Sequence, residues 1–336
     1  MKLLKIFFWL VLIIGAGAFV AAGYAAKRWF EEPVPGLSSQ TVLIPAGSTY
    51  RSLVQRLERR ELIELPVLWR IAGRLTGADS KIQAGEYEMP VSVTPQQLLK
   101  RLSQGEGLVS YKVAFIEGWN LREVRGALRN APQLVQSMTD VPVGSWATEL
   151  GLESESAEGW FFPDTYAYNR GSTDRQILLR AYERMQRVLE KSWQGRAGGL
   201  ILDSPYEALI LASIVEKETG RGSDRSTISQ VFNRRLSLGM KLQTDPTVIY
   251  GIGPDFDGDI TRKHLRTDTP YNSYTRFGLP PTPIALAGKE SIEASLHPAD
   301  TEYLYFVARG DGTSQFSETL ADHNKAVRRY QLKRGN

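Results

Sequence analysis

The N-terminal part of the chain is a long apolar run. No charged residue occurs among the 21 positions from Ile6 to Ala26, and aliphatic and aromatic side chains dominate the first half of the run. At 1.5 Å of rise per residue, a helix of this length matches a hydrocarbon core of about 30 Å. We therefore predict a single transmembrane helix over residues 6–26, preceded by a short tail of residues 1–5.

A cleaved signal peptide is the alternative interpretation of this run. Small residues that suit a signal peptidase lie near its end, at Ala21, Ala22, Ala25 and Ala26. The apolar region of a signal peptide is much shorter, about 7–15 residues, so an uncleaved anchor is expected. Basic residues flank the run on both sides, and their numbers do not decide its orientation.

The pattern then changes to a linker and a small subdomain. Residues 27–40 have the proline, glycine and serine content of a linker. Residues 41–44 predict a strand, and Ser48 is expected to cap a helix with apolar residues at helical spacing. Further helices are predicted over residues 66–75 and from Thr94 onward. Residues 41–110 are therefore interpreted as an α+β subdomain.

Residues 111–333 form a second predicted domain. Its expected elements are a strand at 111–116, helices at 174–193 and 205–219, a polar loop region at 239–283, a strand at 303–308 and a helix at 317–333. Helices and strands are mixed without βαβα alternation, which is typical of an α+β domain.

Composition and charge exclude several classes of function. The chain has 336 residues, 42% of them hydrophobic and 23% charged, as in a folded globular protein. Its net charge of +4 comes from interleaved acidic and basic residues, so no nucleic-acid partner is expected. Cysteine is absent, which excludes disulfides, thiolate chemistry and a lipoprotein anchor.

Two carboxylates at the end of an apolar helix are the leading chemical candidates. Glu216 and Glu218 follow the apolar segment 205–215, and a carboxyl beside apolar surface can stay protonated near neutral pH. Side chains two residues apart on a helix point about 200° from one another, so only one of the two glutamates can be the catalytic carboxyl. Glu218 lies closer to the helix end implied by Gly220, where the helix dipole disfavours ionisation.

Polar and aromatic residues suited to sugar binding follow later in the chain. A loop at 243–246 precedes segment 247–250, which the sequence predicts to be a buried strand. Amide, hydroxyl and carboxylate groups suit sugar hydroxyls, and aromatic rings stack on sugar faces. The expected substrate-binding residues are Gln243, Thr244, Asp245, Tyr271, Asn272, Tyr274 and Glu158. The alternative is that Asp245 and Asn272 only organise turns.

Other catalytic patterns fail on spacing. The acidic stretch 255–259 lacks the glycine position and the closing glutamate of a calcium loop. The histidines lie far apart, so no metal site is predicted. Ser213 and Lys217 have helical i,i+4 spacing but no accompanying hydrolase frame. No nucleotide-binding glycine pattern occurs, and no cofactor is expected.

Four segments together resemble the endolytic murein transglycosylases, the MltG or YceG-like family. These are Ile214–Thr219, Leu242–Gly251, Tyr271–Tyr274 and Gly278–Pro281. The resemblance implies a LysM-like module at 41–110, for which a structural spacer is the alternative. It also implies a catalytic domain at 111–333 with Glu218 as its acid. It also implies a single-pass protein of the bacterial inner membrane, with its catalytic domain in the periplasm.

The resemblance further implies the reaction. One glutamate, without metal or cofactor, would cleave the MurNAc–GlcNAc bond of nascent peptidoglycan strands and leave 1,6-anhydroMurNAc ends. Peptidoglycan, the inner membrane and peptidoglycan synthases are the expected partners. The rival interpretations are a hydrolytic muramidase and a non-catalytic wall-binding scaffold for the synthases.

Overall fold

The computed structural model describes residues 2–331 of the chain, with side chains from residue 5 onward. It divides into two compact units. The first contains the residues up to Tyr111 together with Ala167–Ser172, and the second contains Lys112–Tyr166 and the residues from Thr173. The predicted boundary at 110/111 lies next to the observed one, whereas no sequence pattern indicated that 167–172 would join the first unit.

The apolar run forms one long helix, α1, from Lys2 to Glu31. Its large side chains are exposed, Phe19 for example to 81%. Within the described residues it is the one helix that is long and apolar enough to cross a membrane. The helix extends five residues beyond the predicted span, so part of the expected linker is helical. Leu37, also in that expected linker, is fully buried in the core of the first unit.

The first unit is a two-stranded sheet covered by helices. Strand β1 (Thr41–Ile44) pairs antiparallel with β2 (Gly85–Glu88). The helices are α2 (Tyr50–Arg59), α3 (Pro66–Thr76) and α4 (Pro95–Gln104). Thr49, and not Ser48, caps α2 by accepting a hydrogen bond from the Ser52 amide. The LysM-like identity of this unit stays a prediction.

The second unit is mostly helical. Strands β5 and β6 pair within it, whereas the paired strands β3 and β4 each contain residues of both units. The strands are β3 (Ser110–Ala114), β4 (Thr165–Asn169), β5 (Tyr305–Ala308) and β6 (Ser314–Ser317). The helices are α5 (Leu121–Arg129), α6 (Trp146–Leu150), α7 (Asp174–Gln194), α8 (Pro205–Glu218), α9 (Gly222–Ser237), α10 (Asp245–Ile252), α11 (Arg262–Arg266), α12 (Lys289–Leu296) and α13 (Leu320–Tyr330). The predicted mixture of helix and strand is confirmed.

Helix α8 is the central element of the second unit. Ser204 caps it, Pro205 occupies its first turn, and every residue from Ala208 to Val215 is buried. A helix that is apolar on all sides belongs in the middle of a core, and α8 packs against α7, α9 and α12. It ends where Thr219 becomes extended, which places Glu218 at the rim of the core.

One predicted element is wrong. Residues 247–250 were expected to form a strand because Thr247, Val248 and Ile249 are β-branched, but they lie in α10. The helix begins at Asp245 with Pro246 in its first turn, and both residues favour a helix start. Burial of Thr247 and Val248 against the core outweighs their modest strand preference.

Ser213 ties α8 to the segment that leads into α12. Its hydroxyl donates to the Ile210 carbonyl (2.7 Å) and accepts from the Ile284 amide (3.0 Å). Lys217 donates instead to the Gly118 carbonyl (3.1 Å). Each residue thus has a backbone partner, and these contacts do not form the serine–lysine pair that the sequence spacing allowed.

Replacing Ser213 by alanine should destabilise the second unit. The change leaves the fully buried Ile284 amide without its acceptor, which costs about 1–3 kcal/mol. Urea unfolding of the full chain in detergent micelles measures this loss. Ser237→Ala is the matched control, because Ser237 is exposed and bonds only within its own helix. Equal stability of the two variants would contradict this role of Ser213.

Candidate active site

A polar cleft of about 540 Å³ lies at the end of α8. Five of the predicted site residues line it together: Glu218, Gln243, Thr244, Asp245 and Tyr274. Another part of the wall comes from β5 and α13. All of these residues belong to the second unit, so the cleft is built within one body of the structure.

Glu218 is only partly exposed in this cleft. Burial is the main cause that raises the pKa of its carboxyl to about 7. A hydrogen bond from the Thr244 hydroxyl opposes this shift by stabilising the charged form, while the charge of Asp245 adds to it. Glu218 therefore carries an exchangeable proton near neutral pH.

Glu216 points elsewhere, as the helical geometry requires. Its side chain is 6% exposed, accepts a hydrogen bond from the Gly288 amide (3.0 Å) and pairs with Arg225 (3.4 Å). Both carboxylate oxygens are thus committed to structural partners. Of the two candidates in the Glu-Lys-Glu motif, only Glu218 faces the cleft.

The loop beside Glu218 is held rigidly by Ser273. The Thr244 amide donates to the Ser273 hydroxyl (3.0 Å), and the same hydroxyl lies 2.7 Å from that of Thr247. Gln243 adopts a φ of +52°, which is unusual for a residue with a side chain, and its amide donates to the Ser273 carbonyl (3.2 Å). Sequence reasoning did not single out Ser273, although it lies inside a recognised motif.

Asp245 and Tyr274 form a hydrogen-bonded pair on the cleft wall. The Tyr274 hydroxyl donates to Asp245 Oδ1 at 2.6 Å. Burial, helped by this carboxylate, raises the pKa of the phenol, so the tyrosine stays a donor at neutral pH. The pair offers oxygen atoms to a polar ligand next to the Glu218 carboxyl.

Asn272 lies beneath the cleft and not in its wall. Its side chain is fully buried and donates to the carbonyls of His264, Leu265 and Thr267 at 2.7–3.3 Å. It also accepts from the Tyr274 amide (2.9 Å). The predicted contact with sugar stays a prediction. The geometry favours the turn-organising alternative, because these bonds position Tyr274.

Glu158 and Tyr271 belong to a second buried network. The Glu158 carboxylate accepts from the Tyr250 hydroxyl (2.9 Å) and from the Leu121 amide (3.2 Å). Burial raises the pKa of Glu158 to about 7 against the opposing effect of these donors. Tyr271 packs edge-on against Tyr250 and bonds Thr282 through its hydroxyl. Neither residue lines the cleft described above.

Sequence reasoning missed the part of the cleft wall that β5 and α13 form. His323 stacks on Tyr305 with ring centroids 5.2 Å apart, and within residues 2–331 its Nδ1 has no protein hydrogen-bond partner. Arg235 supports this wall by donating to the carbonyls of Leu304 and Leu242. No local pattern links these residues to Glu218, since about a hundred positions separate His323 from it in sequence.

These features define a class of site. A single protonatable carboxyl at the end of a buried helix faces a cleft that is lined by further side chains with polar oxygen and nitrogen atoms. Such a carboxyl can act as a general acid and then as a base. The sequence pattern of the YceG-like family matches residues 42–329. The chain belongs to the YceG-like family.

Individual relatives agree with this assignment. An endolytic murein transglycosylase of Bacillus subtilis is 31% identical over 95% of this chain and 91% of its own length. One from Streptococcus pneumoniae is 24% identical over 94% of this chain, which spans 62% of that longer protein. The crystal structure of a putative YceG-like protein from Listeria monocytogenes covers 85% of this chain and 98% of its own, with a TM-score of 0.53 and 30% identity.

The raised pKa values make stability depend on pH in a defined direction. Because Glu158 and Glu218 bind protons more tightly in the folded than in the unfolded chain, their stabilising effect is complete below about pH 4.5 and is lost as pH rises through about 7. Glu218→Gln and Glu158→Gln should each flatten this decline.

Urea unfolding of the full chain at intervals between those pH values provides the measurement. The double variant should show the flattest profile. Glu155→Gln is the control, because it removes a carboxylate from an exposed position of the same unit. An undiminished slope in the double variant would show that neither carboxyl is the source of the effect.

Proposed function

We propose that this chain is a membrane-anchored endolytic murein transglycosylase. It would cleave the MurNAc–GlcNAc bond of peptidoglycan strands and leave 1,6-anhydroMurNAc ends. The observation that carries the proposal is Glu218, a carboxyl whose pKa is near 7 in a polar cleft, in a chain whose relatives bear this name.

The first step uses Glu218 as an acid. Its proton passes to the glycosidic oxygen as the bond to the muramoyl C1 breaks, and the leaving sugar takes both bonding electrons. The carbonyl of the muramoyl N-acetyl group stabilises the positive charge that develops at C1. The Thr244 hydroxyl, already bonded to Glu218, then stabilises the new carboxylate.

The second step uses the same group as a base. The carboxylate takes the proton of the C6 hydroxyl of the same sugar, and that oxygen bonds to C1. Water is neither added nor removed, and Glu218 regains its proton. Proximity favours the internal hydroxyl, since it is part of the bound substrate.

One observation favours a second candidate, a hydrolytic muramidase. The cleft contains another carboxylate, Asp245, close enough to influence the pKa of Glu218. Most glycoside hydrolases use a pair of catalytic carboxyl groups. The hydrogen bond from Tyr274 to Asp245 Oδ1 favours the transglycosylase instead, because it engages one of the two oxygen atoms that could activate water.

The rest of the proposal concerns location. Helix α1 has the length and composition of a single membrane span, with the tail of residues 1–5 in the cytoplasm and both units in the periplasm. There the enzyme would act on nascent strands near the inner membrane and terminate their elongation beside the peptidoglycan synthases. The LysM-like unit would contribute a glycan contact.

Glu218→Gln should abolish strand cleavage. The amide keeps the shape of the side chain but cannot donate the proton, and general acid–base catalysis contributes about 10²–10⁴-fold. Glu216→Gln is the matched control, with little effect expected because that carboxylate bonds Gly288 and Arg225 away from the cleft. Wild-type cleavage by a folded Glu218→Gln protein would refute the assignment.

Mass spectrometry of digested peptidoglycan distinguishes the two candidate reactions. The transglycosylase predicts 1,6-anhydromuramoyl ends, one water lighter than the reducing ends left by a hydrolase. Reducing ends as the main product would favour the muramidase. No cleavage by the wild-type chain would favour the non-catalytic scaffold.

Thr244→Val should move the pH profile of cleavage. The change removes a hydrogen bond that favours the charged form of Glu218, so the pKa of Glu218 should rise further. Activity that requires the protonated acid then declines at a higher pH than in the wild type. Initial rates measured across this pH range test the shift, with Thr267→Val as an exposed control. A decline at lower pH would contradict the proposed effect of Thr244.

A further inference from the structure

Helix α3 of the first unit exposes an aliphatic stripe. Val67, Ile71 and Leu75 recur every four residues and are 56%, 51% and 82% exposed, and Leu65 just before the helix is 56% exposed. Residues at this spacing lie on one face of a helix. Four neighbouring exposed aliphatic side chains are a patch that calls for a ligand or partner.

The opposite face of α3 fixes the direction of this stripe. Trp69, Ala72 and Gly73 are buried, and the Tyr50 hydroxyl donates to the Trp69 carbonyl at 2.7 Å. The ring of Tyr50 lies so close to Gly73 that an added Cβ would collide with it. The helix therefore cannot rotate to bury its aliphatic stripe.

Arginines surround the stripe. Arg51, Arg70 and Arg74 line the same shallow cavity of about 500 Å³ as Val67, Ile71 and Leu75. All three are exposed, and within the described part of the chain none forms an ion pair. Asp79 is the single acidic residue in the lining. The surface thus combines aliphatic groups with an excess of positive charge.

The buried face of α3 packs against the end of the membrane segment. Trp29, near the end of α1, packs edge-on against Trp69 of α3 with ring centroids 5.3 Å apart. Trp29, Phe30 and Val34 also pack against the core of the first unit. Leu75 lies six residues beyond Trp69, about 9 Å along the helix axis. Helix α3 and the end of α1 therefore belong to one packed unit.

We propose that α3 docks on the anionic phospholipid surface of the membrane that α1 spans. The aliphatic stripe would enter the boundary between headgroups and acyl chains, and Arg70, Arg74 and Arg51 would pair with lipid phosphates. The inference rests on the membrane anchor of the proposed function. The packing of Trp29 against Trp69, which holds α3 in the unit next to the end of α1, and the complementary charge favour lipid over a glycan or a protein.

Docking of α3 would restrict how the first unit tilts on its anchor. A single helix leaves the attached unit free to rotate about the point where the chain leaves the bilayer. A second contact along the 11 residues of α3 removes that freedom. The first unit would then hold one defined orientation above the lipid.

A fluorescent label at Leu75 tests the proposal in the full chain. The protein has no native cysteine, so Leu75→Cys accepts a single environment-sensitive dye. In nanodiscs of phosphatidylcholine with phosphatidylglycerol, the dye emission should shift to the blue and be quenched by lipid-borne nitroxide. In nanodiscs of phosphatidylcholine alone, both effects should weaken.

Charge variants distinguish specific docking of α3 from a general electrostatic attraction of the first unit to anionic lipid. Arg70→Gln with Arg74→Gln, made in the labelled chain, should lower the ratio of docked to free α3 about fivefold per arginine. Arg59→Gln with Arg60→Gln removes the same charge from exposed positions of the same unit and should leave the ratio unchanged. Equal loss in both pairs would overturn the specific docking of α3.

The remaining outcomes are equally decisive. If the chain inserts into nanodiscs but the dye stays in water, the docking of α3 is wrong and the anchor stands. A dye that responds only when isolated glycan strands are added would assign the patch to glycan and overturn the proposal. If the chain does not insert at all, the anchor fails first, and the inference fails with it; the cleavage assay reports on the enzyme independently.

Discussion

The hydrogen bond between Thr244 and Glu218 joins the two parts of the site on which the chemistry depends. Helix α8 is buried on all sides and fixes the carboxyl, whereas Thr244 belongs to a loop held by Ser273. Burial favours the neutral acid, and the hydroxyl favours the carboxylate. Because the two effects oppose each other, both protonation states remain accessible, as a group that first donates and then recovers a proton requires.

Much of the second unit supports this bond indirectly. Asn272 closes the loop through three backbone carbonyls, and Glu158 links α10 to the start of α5 through Tyr250 and Leu121. Satisfied buried polar groups of this kind stabilise one arrangement of loops over others. The polar residues of the family motifs thus serve two purposes: some line the cleft, and others hold those that do.

The part of the site that the sequence could predict is the part set by neighbouring residues in the chain. An apolar segment ending in Glu-Lys-Glu required a buried helix with one outward carboxyl, and Glu218 lies there. Residues 247–250 show the limit, since β-branched side chains favour a strand and only packing makes them helical. The wall with His323 and Tyr305 was not predictable, because its contacts with the cleft join distant parts of the chain. Asn272 was recognised as important, but sequence alone could not tell a ligand contact from a buried loop support.

The position of that wall has a consequence for biosynthesis. Strand β5 and helix α13 follow Glu218 in the chain by 87 residues or more, yet they line the cleft together with it. A protein is made from its N-terminus, and its segments fold in that order. The anchor and the first unit are therefore complete while the cleft still lacks part of its wall. The lining of the cleft beside Glu218 is thus completed only after β5 and α13 have been synthesised, long after α1 has emerged.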